Sequence, residues 1–218
     1  MSAIFITATG TDIGKTFIAT SLIRHWRAAG RQVDALKPLV TGFDPTLPAI
    51  TDTGLLLAAL GRPLQSAEFD RISPWRYTAP LSPDMAARKE GKIVNFGALV
   101  DFCRRAIAAC PGTLLIEGIG GVMVPLDERR TVLDWMAALN IPVVLVAGSY
   151  LGSLSHTLTA LDAAHSRAIA VAAVVLNETV GSTVSMADTE ATLSRFAAPI
   201  PIVPLPRGGS VVELASLI

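Results

Sequence analysis

Cysteine and charge are both scarce in this chain. Only Cys103 and Cys110 occur among 218 residues, seven apart in a stretch of helical periodicity, and neither has a histidine or a further cysteine nearby. That spacing argues against a disulfide framework or a thiolate metal centre, and for two buried thiols on one helix face. Charged residues make up 17% against 51% hydrophobic, a balance that excludes a disordered chain. Neither sign dominates: 18 Lys and Arg stand against 18 Asp and Glu, with no dense basic block. A general nucleic-acid binder would leave a basic footprint. Long apolar runs are missing as well. The stretch "IPVVLVAG" at 141–148 is far too short to span a bilayer. The apolar start has no basic region before it and no cleavage-like segment after it. A cytoplasmic protein is expected, with neither membrane nor nucleic acid as partner. Its length suits one domain over 1–218, large enough to bury a core without disulfides or metals.

Short apolar runs alternate with longer amphipathic stretches. The runs 4–9, 33–39, 113–120, 142–148 and 170–177 read as strands. They are almost continuously apolar, as strands covered on both faces of a parallel sheet are. A last run, "PIPIVPLP" at 199–206, is interrupted by prolines and reads as an edge strand with loop. Helices are expected over 15–29, 53–60, 83–90, 95–109, about 152–165 and 187–197. Gly30, Gly61 and Gly91 close the first three, and Ser82-Pro83 supplies an N-cap and a first-turn proline. Such β-α alternation, without internal repeats, predicts a single-domain, doubly wound α/β fold with a mostly parallel sheet and helices on both faces. In such sheets ligands bind beyond the carboxyl ends of the strands. Thr11, Asp12, Lys37, Thr41, Glu117 and Asn177 all fall there, so one site is expected.

The stretch "TATGTDIGKT" (7–16) follows the first strand and opens a helix with Lys15-Thr16. That is the setting of a phosphate-binding loop, where backbone N–H groups and the helix N-terminus attract phosphate. Lys15 would reach the terminal phosphates and the Thr16 hydroxyl would ligate Mg²⁺. The strict pattern asks for glycine where Thr9 stands; Gly10 comes one place late. An ordinary βα turn is the competing reading.

The other polar residues keep two readings each. Glu117, closing an apolar run, is metal-proximal beside a Gly-rich turn, or a surface-loop carboxylate or ion-pair partner of Arg129 or Arg130. Asp52 is a metal ligand, or it or Thr53 is a helix N-cap. Lys37, just before Pro38, stabilises charge on a transferring phosphoryl group or is a solvated lysine. Asn177 pairs with an adenine edge or caps a turn; the run after it lacks the Lys and Asp of a guanine reader, which favours ATP. The start of "SYLGSLSHTLTAL" (149–161) receives an anion or is an ordinary capped helix, and His156 lacks the surroundings of a catalytic or metal histidine.

Together these stretches resemble the dethiobiotin synthetase family over nearly the full length. "TGTDIGKT", "LKPLVTG", "SPWRYTAPLSP", "EGIGGVMVPL", "LDWM", "IPVVLVAGSYLGSLSH" and "VVLNE" stand in the family's order at similar spacing. The resemblance implies a P-loop NTPase-type fold and a homodimeric ligase using ATP and Mg²⁺, with its substrate site at the dimer interface. Its substrates would be 7,8-diaminononanoate and CO₂ (as bicarbonate), joined through a carbamate and its phosphoric anhydride. By position, Lys15 and Lys37 would be catalytic and Thr16, Asp52 and Glu117 would surround the metal. ATP would lie along Asp12, Ile13, Gly14, Lys15, Thr16 and Phe17, then Asp52, Glu117, Gly118, Ile119 and Gly120, with Asn177, Glu178, Pro204, Leu205 and Pro206 at the base. Thr11, Thr41, Gly152, Ser153 and Ser155 would contact substrate. Against the family's loop, Ala8 stands at the early glycine and Gly10 at an aspartate, so the loop glycine is relocated. Two rivals share the general pattern. A glutamine-fed amidoligase would need a further glutaminase domain, and a partitioning-type ATPase would carry an extra loop lysine that 7–14 lack.

Overall fold

The computed structural model describes residues 2–218. Its main sheet has the strands β1 (Ser2–Ala8), β2 (Val33–Leu36), β5 (Thr113–Glu117), β6 (Val143–Gly148), β7 (Val171–Asn177) and β8 (Ile202–Leu205). They are parallel throughout, in the order β2-β5-β1-β6-β7-β8. Each predicted strand is present, and the proline-broken run does form the edge strand β8, where Pro204 costs the ladder least. The predicted strand over 33–39 stops at Leu36. Pro38 follows, and β3 (Leu39–Val40) turns away to pair with β4 (Trp75–Arg76).

The helices are α1 (Lys15–Ala28), α2 (Asp52–Leu60), α3 (Ser66–Ile72), α4 (Pro83–Lys89), α5 (Phe96–Ala109), α6 (Val132–Leu139), α7 (Ser153–Ser166), α8 (Met186–Phe196) and α9 (Val212–Leu217). Among the described residues, none is long and apolar enough to cross a membrane. Period-two alternation along each strand divides the core into two layers. On β1, Ile4, Ile6 and Ala8 pack with Ile18, Leu22, Ile23 and Trp26 of α1 and with Leu56 and Leu57 of α2. Phe5 points the other way, among Leu99 and Cys103 of α5 and Trp135 and Met136 of α6. The fold is thus the expected doubly wound α/β type.

Helices α3, α6 and α9 escaped the sequence reading. For α6 a signal was present, because Thr131 and Asp134 have capping-box spacing. In the structure the Thr131 N–H donates to Asp134 Oδ2 at 2.8 Å and its hydroxyl does so at 3.0 Å. Both cysteines are buried free thiols, as expected. Burial pushes the Cys103 thiol up to about 12, against a small opposing contact with Trp135.

Strand β1 lies between β5 and β6; the chain leaves it toward β2 on one side, and after β5 crosses to β6 on the other. That reversal opens a crevice at its carboxyl end, where the loop 9–14 lies. One packing contact underlies the site from below. The fully buried Trp135 ring meets Phe5 edge-on, 4.9 Å between centroids at 88°. Trp135→Ala should lower the unfolding free energy by about 3–5 kcal/mol. A urea midpoint within error of the parent would show that this contact carries no such weight.

Candidate active site

The loop after β1 is shaped by two residues in the left-handed region: Asp12 at φ 57° and Gly14 at φ 106°, the latter capping α1. Gly10 is not among the left-handed residues. The relocated glycine therefore does not make the turn; Asp12 does, a residue type that tolerates this conformation better than most. Helix α1 has no acidic residue in its first turn, so its N-terminal field is left for an outside anion. Lys15 folds back over the loop and its ammonium donates to the Gly10 carbonyl at 3.2 Å. Burial pushes the Lys15 ammonium down to about 8, helped by Lys37 and opposed by Glu117, Asp52 and Asp12.

Beside the loop lies a buried charge cluster. Leu36 and Ile116 are register partners on β2 and β5, so Lys37 and Glu117 come side by side where those strands end. Lys37 is 1% exposed and Glu117 fully buried. The Lys37 ammonium donates to Glu117 Oε1 at 2.6 Å and to the Gly118 carbonyl at 2.8 Å, and it meets Asp52 Oδ2 at 2.9 Å. Those three contacts use all its donors. Burial alone would push the Lys37 ammonium down, but Glu117 and Asp52 hold it above the ordinary lysine value. Burial pushes the Asp52 carboxyl up; Lys37, the Thr16 hydroxyl and Lys15 outweigh this and hold it below the ordinary range. The Thr16 hydroxyl lies 3.0 Å from Asp52 Oδ1 and 2.7 Å from Glu117 Oε1.

Neither alternative for the two carboxylates holds. Thr51 caps α2, its hydroxyl accepting from the Gly54 N–H at 3.2 Å, which leaves Asp52, the first helical residue, turned toward Lys37. Glu117 does not pair with Arg129 or Arg130; the Arg130 guanidinium lies over the Phe96 ring. Glu117 Oε2 is buried with no hydrogen-bond partner among the described residues. Two carboxylates, one of them with an orphaned oxygen, and one hydroxyl form an all-oxygen donor set that fits a magnesium ion sharing its sphere with water and phosphate.

A cleft of about 830 Å³ opens over this cluster. Thr11, Asp12, Gly14, Lys15, Thr16, Phe17, Lys37, Thr41, Asp52, Ile119 and Gly120 line it, so most of the sequence-predicted residues meet there. Pro80, Leu81, Ser82 and Pro83 line it as well and were not foreseen as site residues. Ser82 stands at the N-cap of α4 with Pro83 in the first turn, as expected, but its hydroxyl donates to Asp84 Oδ1 at 2.5 Å and accepts no backbone N–H. Gly118 borders the cluster through its carbonyl.

The remaining predicted residues do not line this cleft. The Asn177 amide donates to the Ile13 carbonyl at 2.9 Å. The Glu178 N–H donates to the Leu205 carbonyl at 3.1 Å, and its carboxylate accepts from the Arg207 N–H at 2.6 Å, which ties Pro204–Pro206 to the end of β7. Gly152 (φ 95°) begins α7; Ser153 is buried with an unpartnered hydroxyl among the described residues, and Ser155 is exposed. His156 binds the Tyr150 hydroxyl at 2.8 Å.

Residues 2–207 match a family model described as an AAA domain. The chain is 53% identical to an ATP-dependent dethiobiotin synthetase of Acidiphilium cryptum, over 81% of this chain and 80% of that protein. It is 43% identical to one from Phenylobacterium zucineum, over 100% of this chain and 94% of the relative. Among solved structures it resembles the cell division ATPase MinD of Pyrococcus furiosus, with a TM-score of 0.58 at 16% identity, covering 97% of this chain and 88% of that one. A chain of the MinC:MinD cell division protein complex of Aquifex aeolicus gives 0.57 at 11%, covering 99% and 85%. These distant likenesses establish a P-loop NTPase-type fold.

Removing one member of the buried pair leaves the other charge stranded. Lys37→Met should therefore lower the unfolding free energy by about 3–5 kcal/mol at neutral pH. Combining it with Glu117→Gln should recover much of the loss. Equal denaturation midpoints for the parent and the single variant would contradict the pairing.

Proposed function

The chain belongs to the family of ATP-dependent dethiobiotin synthetases, and we propose that it carries out that reaction, joining CO₂ to 7,8-diaminononanoate with ATP and Mg²⁺. It is an ATP-dependent ligase. We read 1–218 as one catalytic domain. The observation that supports this reading most is the convergence of Lys15, Thr16, Lys37, Asp52 and Glu117 at one cleft beyond β1, β2 and β5.

In this reading one amine of the diamine takes up CO₂ and loses a proton, giving a carbamate. A carbamate oxygen attacks the γ-phosphorus of ATP, and the bond to ADP breaks. The second amine then attacks the carbonyl carbon of the mixed anhydride. The ureido ring closes and phosphate departs. The chain's own part is positioning and charge stabilisation. Backbone N–H groups of the loop and the start of α1 receive the phosphates. Lys15, with its lowered affinity for a proton, regains a counter-charge when a polyphosphate arrives. Thr16, Asp52 and Glu117 would hold Mg²⁺, which when bound neutralises charge on the phosphate oxygens. Lys37 reaches the carbamate or the transferring phosphoryl group by releasing its more exposed partner, Asp52, whose side chain is 42% exposed.

Thr41, on the cleft wall, contacts the diamine. ATP extends past Phe17 toward Asn177, Glu178 and the Pro204–Pro206 segment, where the base sits. Gly152, Ser153 and Ser155 lie away from the chain's own cleft, which suits a homodimer in which the start of α7 meets the carboxylate of a substrate bound to the other copy.

The deciding assay follows phosphate release from Mg·ATP and labelled carbon from bicarbonate. Release and incorporation should both require the diamine; phosphate release indifferent to it would overturn the assignment. In the same assay, Thr41→Val should raise KM for the diamine about tenfold with little change in KM for ATP, as expected for one lost hydrogen bond to a charged or polar group. An unaltered KM would remove Thr41 from the substrate site.

A further inference from the structure

Asn177 touches the phosphate loop from a strand that does not neighbour it. Strand β7 is separated from β1 by β6, and 164 positions separate Asn177 from Ile13. Yet the Asn177 amide donates to the Ile13 carbonyl at 2.9 Å. Ile13 sits between the two left-handed residues of the loop, Asp12 and Gly14. A peptide unit is planar and trans, so its carbonyl and its N–H point to opposite sides. Holding the Ile13 carbonyl toward β7 turns the Gly14 N–H to the other side, and Gly14 lines the cleft. A Cβ on Gly14 would collide with the Asn177 amide nitrogen, so amide and loop backbone are in direct contact.

The amide itself is well supported. Asn177 is in register with Gly148 on β6 and Leu205 on β8. Just beyond, the Ser149 N–H donates to Thr179 Oγ1 at 3.1 Å and the Thr179 N–H returns a bond to Ser149 Oγ at 3.0 Å. The Glu178 N–H is held by the Leu205 carbonyl. A side chain carried on a paired strand end, with its flanking loops bonded to each other, has little freedom to move.

We infer that Asn177 is a positioning residue for the phosphate loop, its amide fixing the Ile13–Gly14 peptide so that the Gly14 N–H faces the phosphates. This rests on the reading of residues 9–16 as the ATP phosphate site. It adds a coupling to that reading. One amide N–H is spent on the loop, and the second N–H with the carbonyl oxygen is left for an adenine edge, so base contact and loop geometry share one side chain.

Inorganic tripolyphosphate has the phosphates of ATP and no base, so it separates the two roles. Calorimetric titration of Mg·tripolyphosphate and Mg·ATP into the parent and Asn177→Asp tests them. The variant keeps the shape but sets an acceptor against the Ile13 carbonyl. Its tripolyphosphate Kd should rise about tenfold, equivalent to 1.4 kcal/mol, at unchanged one-to-one stoichiometry, and ATP should weaken at least as much. An unchanged tripolyphosphate Kd with weakened ATP would leave Asn177 as a base contact only and overturn the inference. A fall in stoichiometry with an unchanged Kd would reduce its role to fold stability and overturn it too. A parent that binds neither ligand would overturn the ATP-site reading itself.

Discussion

The buried pair of Lys37 and Glu117 is the constraint around which the site is arranged. A carboxylate with no exposure and an ammonium with almost none would each be costly to bury alone. Side by side at the ends of adjacent strands, with the Gly118 carbonyl and Asp52 completing the ammonium's shell, they are tolerated. The pair also sets positions. Glu117 draws in the Thr16 hydroxyl and so fixes the start of α1 against β5. Asp52 does the same for the start of α2. Four chain segments are thereby locked around one point, with one carboxylate oxygen left over to take a cation.

The phosphate loop shows how far a local pattern can shift while the geometry is kept. The turn needs left-handed backbone, and glycine is the usual supplier. Here Gly14 supplies one such residue and Asp12 the other. Gly10, the displaced glycine, instead contributes a carbonyl that receives Lys15. Around it, the glycines after β5 give close approach: a side chain at Gly121 would press on the backbone of Thr9 and Gly10, and one at Gly118 would strike the Phe5 ring. The same doubly wound frame serves proteins as different as cell division ATPases, so the frame alone says little about chemistry. The polar residues at the strand ends distinguish this chain.

Most of the fold was legible because buried parallel strands are read from composition. Runs such as 114–116 and 143–148 are apolar throughout, and their shortness and position between turn residues fit a covered strand. The long helices were legible from apolar residues recurring on one face, as Ile18, Leu22, Ile23 and Trp26 do on α1. Short elements were not. The two-residue strands β3 and β4 exist because each finds the other, and neither has a pattern of its own. The capping box of α6 was the one overlooked local signal.

For the site, the residue types and their positions at strand ends were in the sequence, and so was the likeness to ATP-dependent dethiobiotin synthetases. Local chemistry suffices for these, since a glycine-bearing turn before Lys-Thr or a carboxylate closing an apolar run is unusual within a few residues. The partners were decided by tertiary structure alone. Nothing near Asp52 says that Thr51 caps its helix and frees it for Lys37, nor that Glu117 would choose Lys37 over the arginines twelve residues on. Nothing near Asn177 says that it reaches across β6 to the loop of β1. Which charges meet is fixed by strand order and register, and those emerge only when the whole sheet has assembled.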